Sequence, residues 1–319
     1  MATQLSDQER ARLESALTAV CRQGRIDPAG ARLVRYTMNA VYELPAAGVV
    51  IRMAAGPQAR ARAVRVAQIA AAFAERGMPT VRLATGLGEP IHADGWSATV
   101  WEFLPQPPEH RIAPAALVAP LRAIHAAGAP FELPLWDPVS KARNRVAQVE
   151  TLDAASRSEL QRWATVVVGL SLDQIMSQLR QRADELAAAV KAAEWTLPQS
   201  VIHGDAHTGN LLLDRDGAAV ICDLDSVAVG PPEWDLVPTA HGAARFGDNP
   251  SRHRALADAY GLDVTTCPAW ETLRQIRELQ LMTSVIANLA GRPDVADEAG
   301  HRLRTGLVDN HGVTWHRYR

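Results

Sequence analysis

A polar stretch stands between two apolar stretches in the second half of the chain and restricts what this region can form. Its sequence is HGDAHTGN, residues 203–210, with Val201-Ile202 before it and Leu211–Leu213 after it. Polar side chains between buried strands destabilise a fold unless they are paired or have a function. The segment ICDLDS follows at 221–226, where Asp223 again comes directly after an apolar run. The pattern predicts polar side chains gathered at the ends of buried strands.

The spacing within this region favours oxygen ligands and a carboxylate on one loop. Asp205 and Asn210 are five residues apart, on either side of a tight turn that contains Gly209. Asp223 lies at the end of the adjacent hairpin, where it can add a carboxylate beside Asn210. Phosphoryl transfer needs a group that orients the attacking hydroxyl and hard oxygen ligands for Mg²⁺. The residue types therefore match this chemistry.

Three motifs together, HGDAHTGN, ICDLDS and GPPEWDL, resemble those of the aminoglycoside phosphotransferase family of kinase-like enzymes. The D-x-x-x-x-N spacing is also that of the protein-kinase catalytic loop. The resemblance implies that Asp205 is the catalytic base and that Asn210 and Asp223 bind Mg²⁺. It also implies that His203 supports the loop and that Asp235 is a structural tether.

The resemblance further implies an α+β, protein-kinase-like fold of two lobes. The N-terminal lobe, residues 1–103, would hold a small antiparallel sheet, one helix and the nucleotide. The C-terminal lobe, residues 104–319, would be mainly helical and would carry catalysis and substrate binding. The enzyme would move the γ-phosphate of ATP or GTP to a hydroxyl of a small molecule. Aminoglycosides, amino sugars and amino alcohols are the acceptor classes that the resemblance suggests.

Local patterns predict the elements of the N-terminal part. A hairpin signal, Pro-Ala-Ala-Gly, separates two β-prone runs, and Gly77 is placed to end a helix. The prolines at 105, 107 and 108 indicate a hinge. The expected elements are helix 7–22, strands Val41–Leu44 and Val49–Met53, helix Arg60–Arg76, and strands Val81–Leu83, Pro90–His92 and Ser97–Trp101.

The C-terminal part shows mostly helical patterns from Ala113 onward. This helical part includes an Arg- and Ala-rich stretch from about Ser156 to Ala193. Two β-prone runs, Leu211–Leu213 and Ala218–Cys222, interrupt the helices, and Asp214-Arg215-Asp216-Gly217 between them is a turn signal. Helical patterns return from Trp234 to the end of the chain.

The nucleotide site is expected along the N-terminal strands. Thr37, Asn39 and neighbouring backbone N–H groups would face the phosphates, although the segment is also compatible with an ordinary turn. Arg52 occupies the strand position where protein kinases carry Lys and would grip phosphates in a bidentate manner. The alternative is an edge-strand arginine facing water. At the hinge, Glu102 and Leu104 would offer backbone groups to the purine.

One feature departs from the family pattern. The phosphate-binding cation usually pairs with a Glu on the next helix, but the sole acid of ARARAVRVAQIAAAFAERG is Glu75 at its far end. This absence motivates an alternative, a catalytically weak pseudokinase that acts through partners. A zinc hydrolase using His203, Asp205 and His207 is a third hypothesis, because three such ligands are what zinc enzymes supply.

Candidate side chains for the acceptor lie in the helical region. A polycationic acceptor requires carboxylates, and Trp234 and Trp270 could stack on a sugar ring. The acidic residues considered are Glu233, Asp248, Asp258, Asp263, Glu271 and Glu278, and arginines are interleaved with them. Asp225 is left open between a metal or substrate ligand and a solvated or capping carboxylate.

The overall charge argues against polyanionic partners. The chain has 33 basic and 35 acidic residues among 319, so nucleic acid and anionic membranes are not expected partners. The N-terminus is too polar for a signal peptide, and no apolar run has the length of a membrane span. Three widely spaced cysteines favour a reducing cytoplasm. The oligomeric state is left open.

Overall fold

The chain divides into two compact units in a computed structural model that describes residues 5–36, 39–107, 112–310 and 312–318. The sheet unit comprises Met1–Leu133 and Thr208–Val227. The helical unit comprises Pro134–His207 and Ala228–Arg319. Among the described residues, no helix is long and apolar enough to cross a membrane. The division into lobes 1–103 and 104–319 stays a prediction.

The sheet unit is built on a five-stranded antiparallel sheet of strand order β1-β2-β3-β5-β4. A second, two-stranded sheet pairs β7 with β8. The elements of this unit are α1 (Asp7–Gly24), β1 (Arg32–Tyr36), β2 (Ala40–Leu44), β3 (Val49–Ala55), α2 (Ala59–Glu75), β4 (Ile91–Ala93), β5 (Trp96–Glu102), α3 (Val118–Ala126), β7 (Leu211–Leu213) and β8 (Ala219–Ile221).

Strand β3 lies inside this sheet, between β2 and β5. The predicted hairpin is present, and Val41 and Thr99 are the register partners of Arg52 on the two neighbouring strands. Side chains alternate across a strand, so Ile51 and Met53 are fully buried on one face. Arg52 between them points to the opposite face. An edge position for Arg52 is therefore wrong.

Helix α1 covers the buried face of the sheet. Ser6 caps its first turn through a capping box with Glu9, the pairing that satisfies N–H groups otherwise left open. Its apolar face joins the side chains of the sheet in one core. This core includes Leu13, Leu17, Val20, Leu44, Ile51, Met53, Ala98 and Val100.

The helical unit contains a short two-stranded sheet, β6 paired with β9, among seven helices within its described residues. Helices α4, α6 and α9 pack against one another, with Val146, Leu179 and Ile276 buried. The elements are α4 (Ser140–Glu150), α5 (Ala154–Trp163), α6 (Leu172–Ala192), β6 (Ser200–Ile202), β9 (Ala228–Gly230), α7 (Glu233–Arg245), α8 (Pro250–Tyr260), α9 (Trp270–Thr283) and α10 (Pro293–Gly306).

Two local features differ from what the sequence predicts. The segment Val81–Leu83 does not form a strand, because Thr80 and Leu83 each make only an isolated bridge, to Ile221 and Trp101. Strand β1 was not predicted. The stretch 156–193 is mostly helical, as expected, and its helices are separated where Gly169 adopts φ +84°, a left-handed conformation that ends a helix and that glycine adopts readily.

Candidate active site

The polar loop after β6 is anchored in the helical unit by a buried aspartate. Asp235, 1% exposed, accepts hydrogen bonds from the backbone N–H groups of His203 (2.7 Å) and Gly204 (2.8 Å). The indole N–H of Trp234 donates to the Gly204 carbonyl at 3.0 Å. Both side chains belong to the first turn of α7. The expected tether by Asp235 is therefore present as two charge-assisted bonds.

The same loop positions Asp205. His203 is fully buried, and its Nδ1 accepts the Asp205 backbone N–H at 3.3 Å. The Asp205 side chain is 31% exposed, and its Oδ1 lies 3.4 Å from Arg277 Nη1. The loop thus holds this carboxylate half-buried, with part of its surface accessible.

Positive charge surrounds Asp205 and keeps it ionised. Burial alone would raise the pKa of Asp205, but the charges of Arg277, Lys141, His207 and His203 outweigh burial, so its pKa lies below the usual range. Because an aspartate carboxyl ordinarily titrates near 3.8 and the pKa of Asp205 lies lower, Asp205 is anionic throughout the neutral range. An ionised carboxylate can accept a proton and can orient a hydroxyl.

In the sheet unit, Asn210 and Asp223 lie at the same end of the β7–β8 hairpin. Leu211 pairs with Ile221, and the Cys222 N–H donates to the Asn210 carbonyl at 2.8 Å. Asn210 therefore stands opposite Cys222, next to Asp223. The Asp223 backbone is left-handed, with φ +64°, a conformation that Asp tolerates better than most residues and that clusters at functional sites.

The oxygen atoms at this hairpin end fit a magnesium ion. Carboxylate and amide oxygens are the ligands that this hard cation takes from proteins, together with water and phosphate. Burial, reinforced by the charge of Asp223, raises the pKa of the neighbouring Cys222 thiol to about 12. The described residues contain no group of three His, Cys, Asp or Glu side chains that could hold a metal ion. The trio considered for zinc, His203, Asp205 and His207, is not arranged as such a group.

Arg52 connects β3 to this hairpin end. Its Nη2 lies 3.3 Å from Asp223 Oδ1, and its Nη1 contacts Asp225 Oδ2. The Arg52 side chain is 19% exposed, so it does not point into water. The two aspartates supply the carboxylate partners that helix α2 does not offer. Asp225 is thus an ion-pair partner of Arg52.

The structure describes most of the remaining residues that were predicted to bind the nucleotide. Thr37 lies outside the described residues. Asn39 is half-buried and immediately precedes β2. The Glu102 N–H donates to the Arg82 carbonyl at 2.9 Å, so Glu102 can offer its carbonyl oxygen to the purine ring of a nucleotide. Leu104 follows β5, and its own carbonyl accepts the side chain of Gln106 at 3.0 Å.

Most of the acidic side chains considered for a polycationic acceptor have structural partners. Glu233 is fully buried and accepts the backbone N–H groups of Thr196 and Leu197. Four of the others form ion pairs within the helical unit. These pairs are Asp248 with Arg317, Asp263 with His253, Glu271 with Arg274, and Glu278 with Arg245 and Arg274.

Trp234 is also unavailable for stacking on a sugar. It is 2% exposed and packs against Trp136, with ring centroids 5.1 Å apart. Asp258, in contrast, is exposed on α8.

The cations around Asp205 were missed in the sequence. Lys141 and Arg145 are four residues apart, which places them on one face of α4. This four-residue spacing was the signal from which the sequence could have indicated them. The spacing alone could not show which element packs against that face of α4.

The sequence profile of the phosphotransferase enzyme family, APH, matches residues 39–276, most of the 319-residue chain. The chain belongs to this family. It is accordingly a small-molecule kinase, a phosphotransferase that acts on hydroxyl groups. The match spans the strands around Arg52, the loop of Asp205 and the first half of helix α9. A search of curated protein sequences finds no match.

Solved structures share the two-lobed, kinase-like α+β fold. An aminoglycoside phosphotransferase from Streptomyces rimosus is 19% identical, with TM-score 0.57, covering 84% of this chain and 98% of its own. An amicoumacin kinase, solved with AMP-PNP, Ca²⁺ and its antibiotic, is 12% identical, with TM-score 0.66 and coverage of 98% and 99%. A choline kinase from Streptococcus pneumoniae is 11% identical, with TM-score 0.54 and coverage of 95% and 100%. At these identities the likeness establishes the fold.

Proposed function

We propose that this protein transfers the γ-phosphoryl group of ATP or GTP to a hydroxyl of a small molecule, with Asp205 as the catalytic base. The observation that carries this proposal is the anchored loop. Asp235 holds its backbone, and an ionised Asp205 projects from it. Solved relatives in the same fold include kinases bound to nucleotides, among them one with AMP-PNP.

The reaction would proceed by in-line displacement. The acceptor oxygen forms a bond to the γ-phosphorus as the bond from that phosphorus to the bridging β–γ oxygen breaks, and the nucleoside diphosphate leaves. The hydroxyl proton passes to the Asp205 carboxylate and then to solvent. Because the transition state is loose, positioning and electrostatics supply most of the acceleration. Asp205 therefore orients the hydroxyl before it accepts the proton.

Asn210 and Asp223 would hold Mg²⁺, whose charge offsets that of the phosphate oxygens when it is bound. Arg52 would bind the nucleotide phosphates, while Asn39, Thr37 and neighbouring backbone would complete the phosphate end. The Glu102 carbonyl and the Leu104 N–H would meet the purine. The protein would be located in the reducing cytoplasm. This localisation is supported by three free thiols, those of Cys21, Cys222 and Cys267.

The pseudokinase alternative is weakened by the partners of Arg52. That hypothesis rested on Arg52 lacking the Glu that, in the family, usually pairs with this cation from the next helix. Asp223 and Asp225 both contact Arg52, so its position is set by carboxylates of the adjacent hairpin. This supports a competent phosphate site.

The test is Asp205→Asn, measured as phosphoryl transfer with a panel of hydroxylated acceptors and as nucleotide affinity. Base catalysis contributes about 10²–10⁴-fold, so kcat should fall by that factor while the nucleotide Kd stays nearly constant. The matched control is Asp258→Asn, the same change at an exposed position of α8. It should leave both constants unaltered. A kcat of Asp205→Asn close to that of the unchanged protein would remove Asp205 from this role.

A further inference from the structure

The side chain of Gln106 joins two segments of the sheet unit that lie 107 positions apart in the sequence. Its Oε1 accepts the Leu213 N–H at 2.9 Å, and its Nε2 donates to the Leu213 carbonyl at 3.0 Å. The same Nε2 donates to the Leu104 carbonyl, also at 3.0 Å. A side-chain amide has two N–H donors and one carbonyl oxygen. Both polar atoms of Gln106 are therefore engaged, and the donor and acceptor of Leu213 together fix its orientation.

Gln106 extends the β7–β8 hairpin as a third strand would. The Cys222 N–H of the opposite strand donates to the Asn210 carbonyl at 2.8 Å. Because backbone groups alternate in direction along an antiparallel pair, Leu213 turns its own N–H and carbonyl away from β8. The Gln106 amide occupies this outer edge of β7. It therefore ties Leu104 to the strand that begins directly after Asn210, one of the two residues proposed to bind Mg²⁺.

The chain at the end of β5 presents backbone groups that a purine can pair with. The Phe103 N–H donates to the Gly48 carbonyl at 3.0 Å, so Glu102 turns its backbone groups away from β3. The Glu102 N–H is taken by the Arg82 carbonyl at 2.9 Å, which leaves the Glu102 carbonyl as an acceptor. Leu104 follows two residues later, and no described residue accepts its N–H. The Glu102 carbonyl, the Leu104 N–H and the Leu104 carbonyl are called the base edge below.

Gln106 uses the last group of the base edge. A carbonyl oxygen can accept two hydrogen bonds, but a ligand donor at Leu104 would have to share this oxygen with an amide that Leu213 holds in place. The base edge is thereby reduced to an acceptor followed by a donor. Its pattern, and not its mere presence, decides which purine pairs with it.

Adenine and guanine differ in the pattern that this edge requires. Adenine offers a donor, its 6-amino group, next to an acceptor, its ring nitrogen N1. Guanine offers an acceptor at the 6 position, followed by two donors. Adenine therefore complements the Glu102 carbonyl and the Leu104 N–H directly. In the same position guanine would set acceptor against acceptor and donor against donor, and it can pair only after a shift that uses the Leu104 carbonyl.

We infer that Gln106 is a specificity-determining residue, which selects ATP over GTP as the phosphoryl donor by engaging the Leu104 carbonyl and tying it to β7. This inference rests on the proposed function and specifies its nucleotide. A site that leaves polar groups of an analogue unpaired rejects that analogue strongly. GTP should therefore bind more weakly than ATP.

A competing role for Gln106 is purely structural. If it only held the β7–β8 hairpin in place, its removal would weaken the binding of every nucleotide by the same factor. If it sets the pattern of the base edge, its removal changes the ratio of affinities among bases. The ratio therefore separates the two roles.

The experiment measures the Kd of ATP, GTP and 2-amino-ATP with Mg²⁺ by isothermal titration calorimetry, which needs no acceptor. 2-Amino-ATP keeps the donor and acceptor of adenine and adds a second donor, in line with the Leu104 carbonyl. In the unchanged protein we expect ATP to bind at least about tenfold more tightly than GTP. 2-Amino-ATP should bind no more tightly than ATP, because Gln106 already occupies the carbonyl that its extra donor would meet.

Two variants release the Leu104 carbonyl. In Gln106→Ala, 2-amino-ATP should gain about two- to tenfold over ATP, the net effect of one hydrogen bond, and the disadvantage of GTP should shrink by a similar factor. Gln106→Glu keeps an acceptor for the Leu213 N–H but has no donor, so it should change the ratios in the same direction. Gln68→Ala is the control, since Gln68 is exposed on α2, and it should leave both ratios unchanged.

The outcomes separate this inference from the proposed function. GTP binding as tightly as ATP, or base ratios that neither Gln106 variant changes, overturns the selection by Gln106 and leaves the kinase intact. No Mg²⁺-dependent binding of any nucleotide, together with no phosphoryl transfer to any acceptor, overturns both.

Discussion

A substitution of Arg52 tests whether this residue binds the phosphates of the nucleotide. It contacts Asp223 and Asp225 through separate nitrogen atoms. Hydrogen bonds to charged groups contribute about 1.5–3 kcal/mol, so Arg52→Ala should raise the nucleotide KM by roughly 10- to 100-fold. The acceptor KM should change far less. Both constants come from initial rates at saturating concentrations of the other substrate.

The matched control for Arg52 is Arg32→Ala in the same sheet. Arg32 pairs with Glu43 on β2, but its side chain is 68% exposed. Exposed ion pairs contribute about 0–1 kcal/mol, so neither KM should shift appreciably. An unchanged nucleotide KM in Arg52→Ala would mean that Arg52 serves only to position the two aspartates.

At the residue scale, local motifs were informative and distant partners were not. The loop around Asp205 could be predicted because polar residues between apolar runs are conspicuous, and its tether Asp235 was implied by the family resemblance. The ion pair between Arg52 and Asp223 joins residues 171 positions apart. No local pattern encodes such a contact. The same holds for Arg277 and Asp205, which are 72 positions apart and in contact in the folded helical unit.

At the scale of elements, helices α7 and α9 are joined by buried charges. Glu278 accepts from Arg245 Nε at 2.7 Å and also pairs with Arg274. Both arginines and the glutamate are nearly inaccessible to solvent. Arg245 also lies over the ring of Trp315, with Cζ 4.4 Å from the ring centroid. Loss of the shared carboxylate would leave two guanidinium groups buried without it.

Glu278→Gln should therefore destabilise the protein by about 3–5 kcal/mol at pH 7, the usual loss when one partner of a buried ion pair is removed. Burial alone would raise the pKa of Glu278, but the His241 ring and the guanidiniums of Arg245 and Arg274 lower it to about 2 from 4.5. A depressed folded pKa means that the stabilisation is complete above about pH 4.5 and is lost as pH falls towards 2.

Urea unfolding at pH 7 and at pH 3 measures this effect. The difference between the unchanged protein and Glu278→Gln should shrink at the lower pH. Glu185→Gln, at an exposed position of α6, is the control and should stay within about 0.5 kcal/mol. A difference that is constant with pH would show that Glu278 stabilises through packing alone.

Element prediction succeeded where capping and turn chemistry are local. Helix α1 begins after Ser6, and the β2–β3 and β7–β8 hairpins are present at their turn signals. Strand β1 was missed because its residues are largely exposed and so lack a clear alternation. The segment Val81–Leu83 has strand composition, but its neighbours pair with it only at single residues. In both cases tertiary contacts, and not the local sequence, determined whether the segment forms a strand.

At the scale of the whole molecule, the chain leaves the sheet unit after Leu133 and returns for Thr208–Val227. The returning segment brings the β7–β8 hairpin, with Asn210 and Asp223 at its end. Ile221 exchanges backbone hydrogen bonds with Pro79 and Val81, at 3.0 and 3.1 Å. Helix α3 packs against β8. The segment proposed to bind Mg²⁺ is thus a structural part of a unit that begins about two hundred residues earlier in the sequence.

The sheet unit should consequently need this segment to fold. A fragment of residues 1–133 lacks Leu211, Val220, Ile221 and Leu224, all buried. Each such side chain contributes about 1.5–3 kcal/mol, and the carbonyl of Pro79 and the N–H of Val81 would lose their partners. The fragment 1–133 joined by a Gly/Ser linker to 208–227 should exceed 1–133 alone in unfolding free energy by at least about 3 kcal/mol. Urea unfolding followed by circular dichroism compares the two fragments. The control carries the same linker and a scrambled 208–227 segment. Equal midpoints for all three fragments would show that the five-stranded sheet and α1 form an independent folding unit, and that the hairpin docks on it without contributing to its stability.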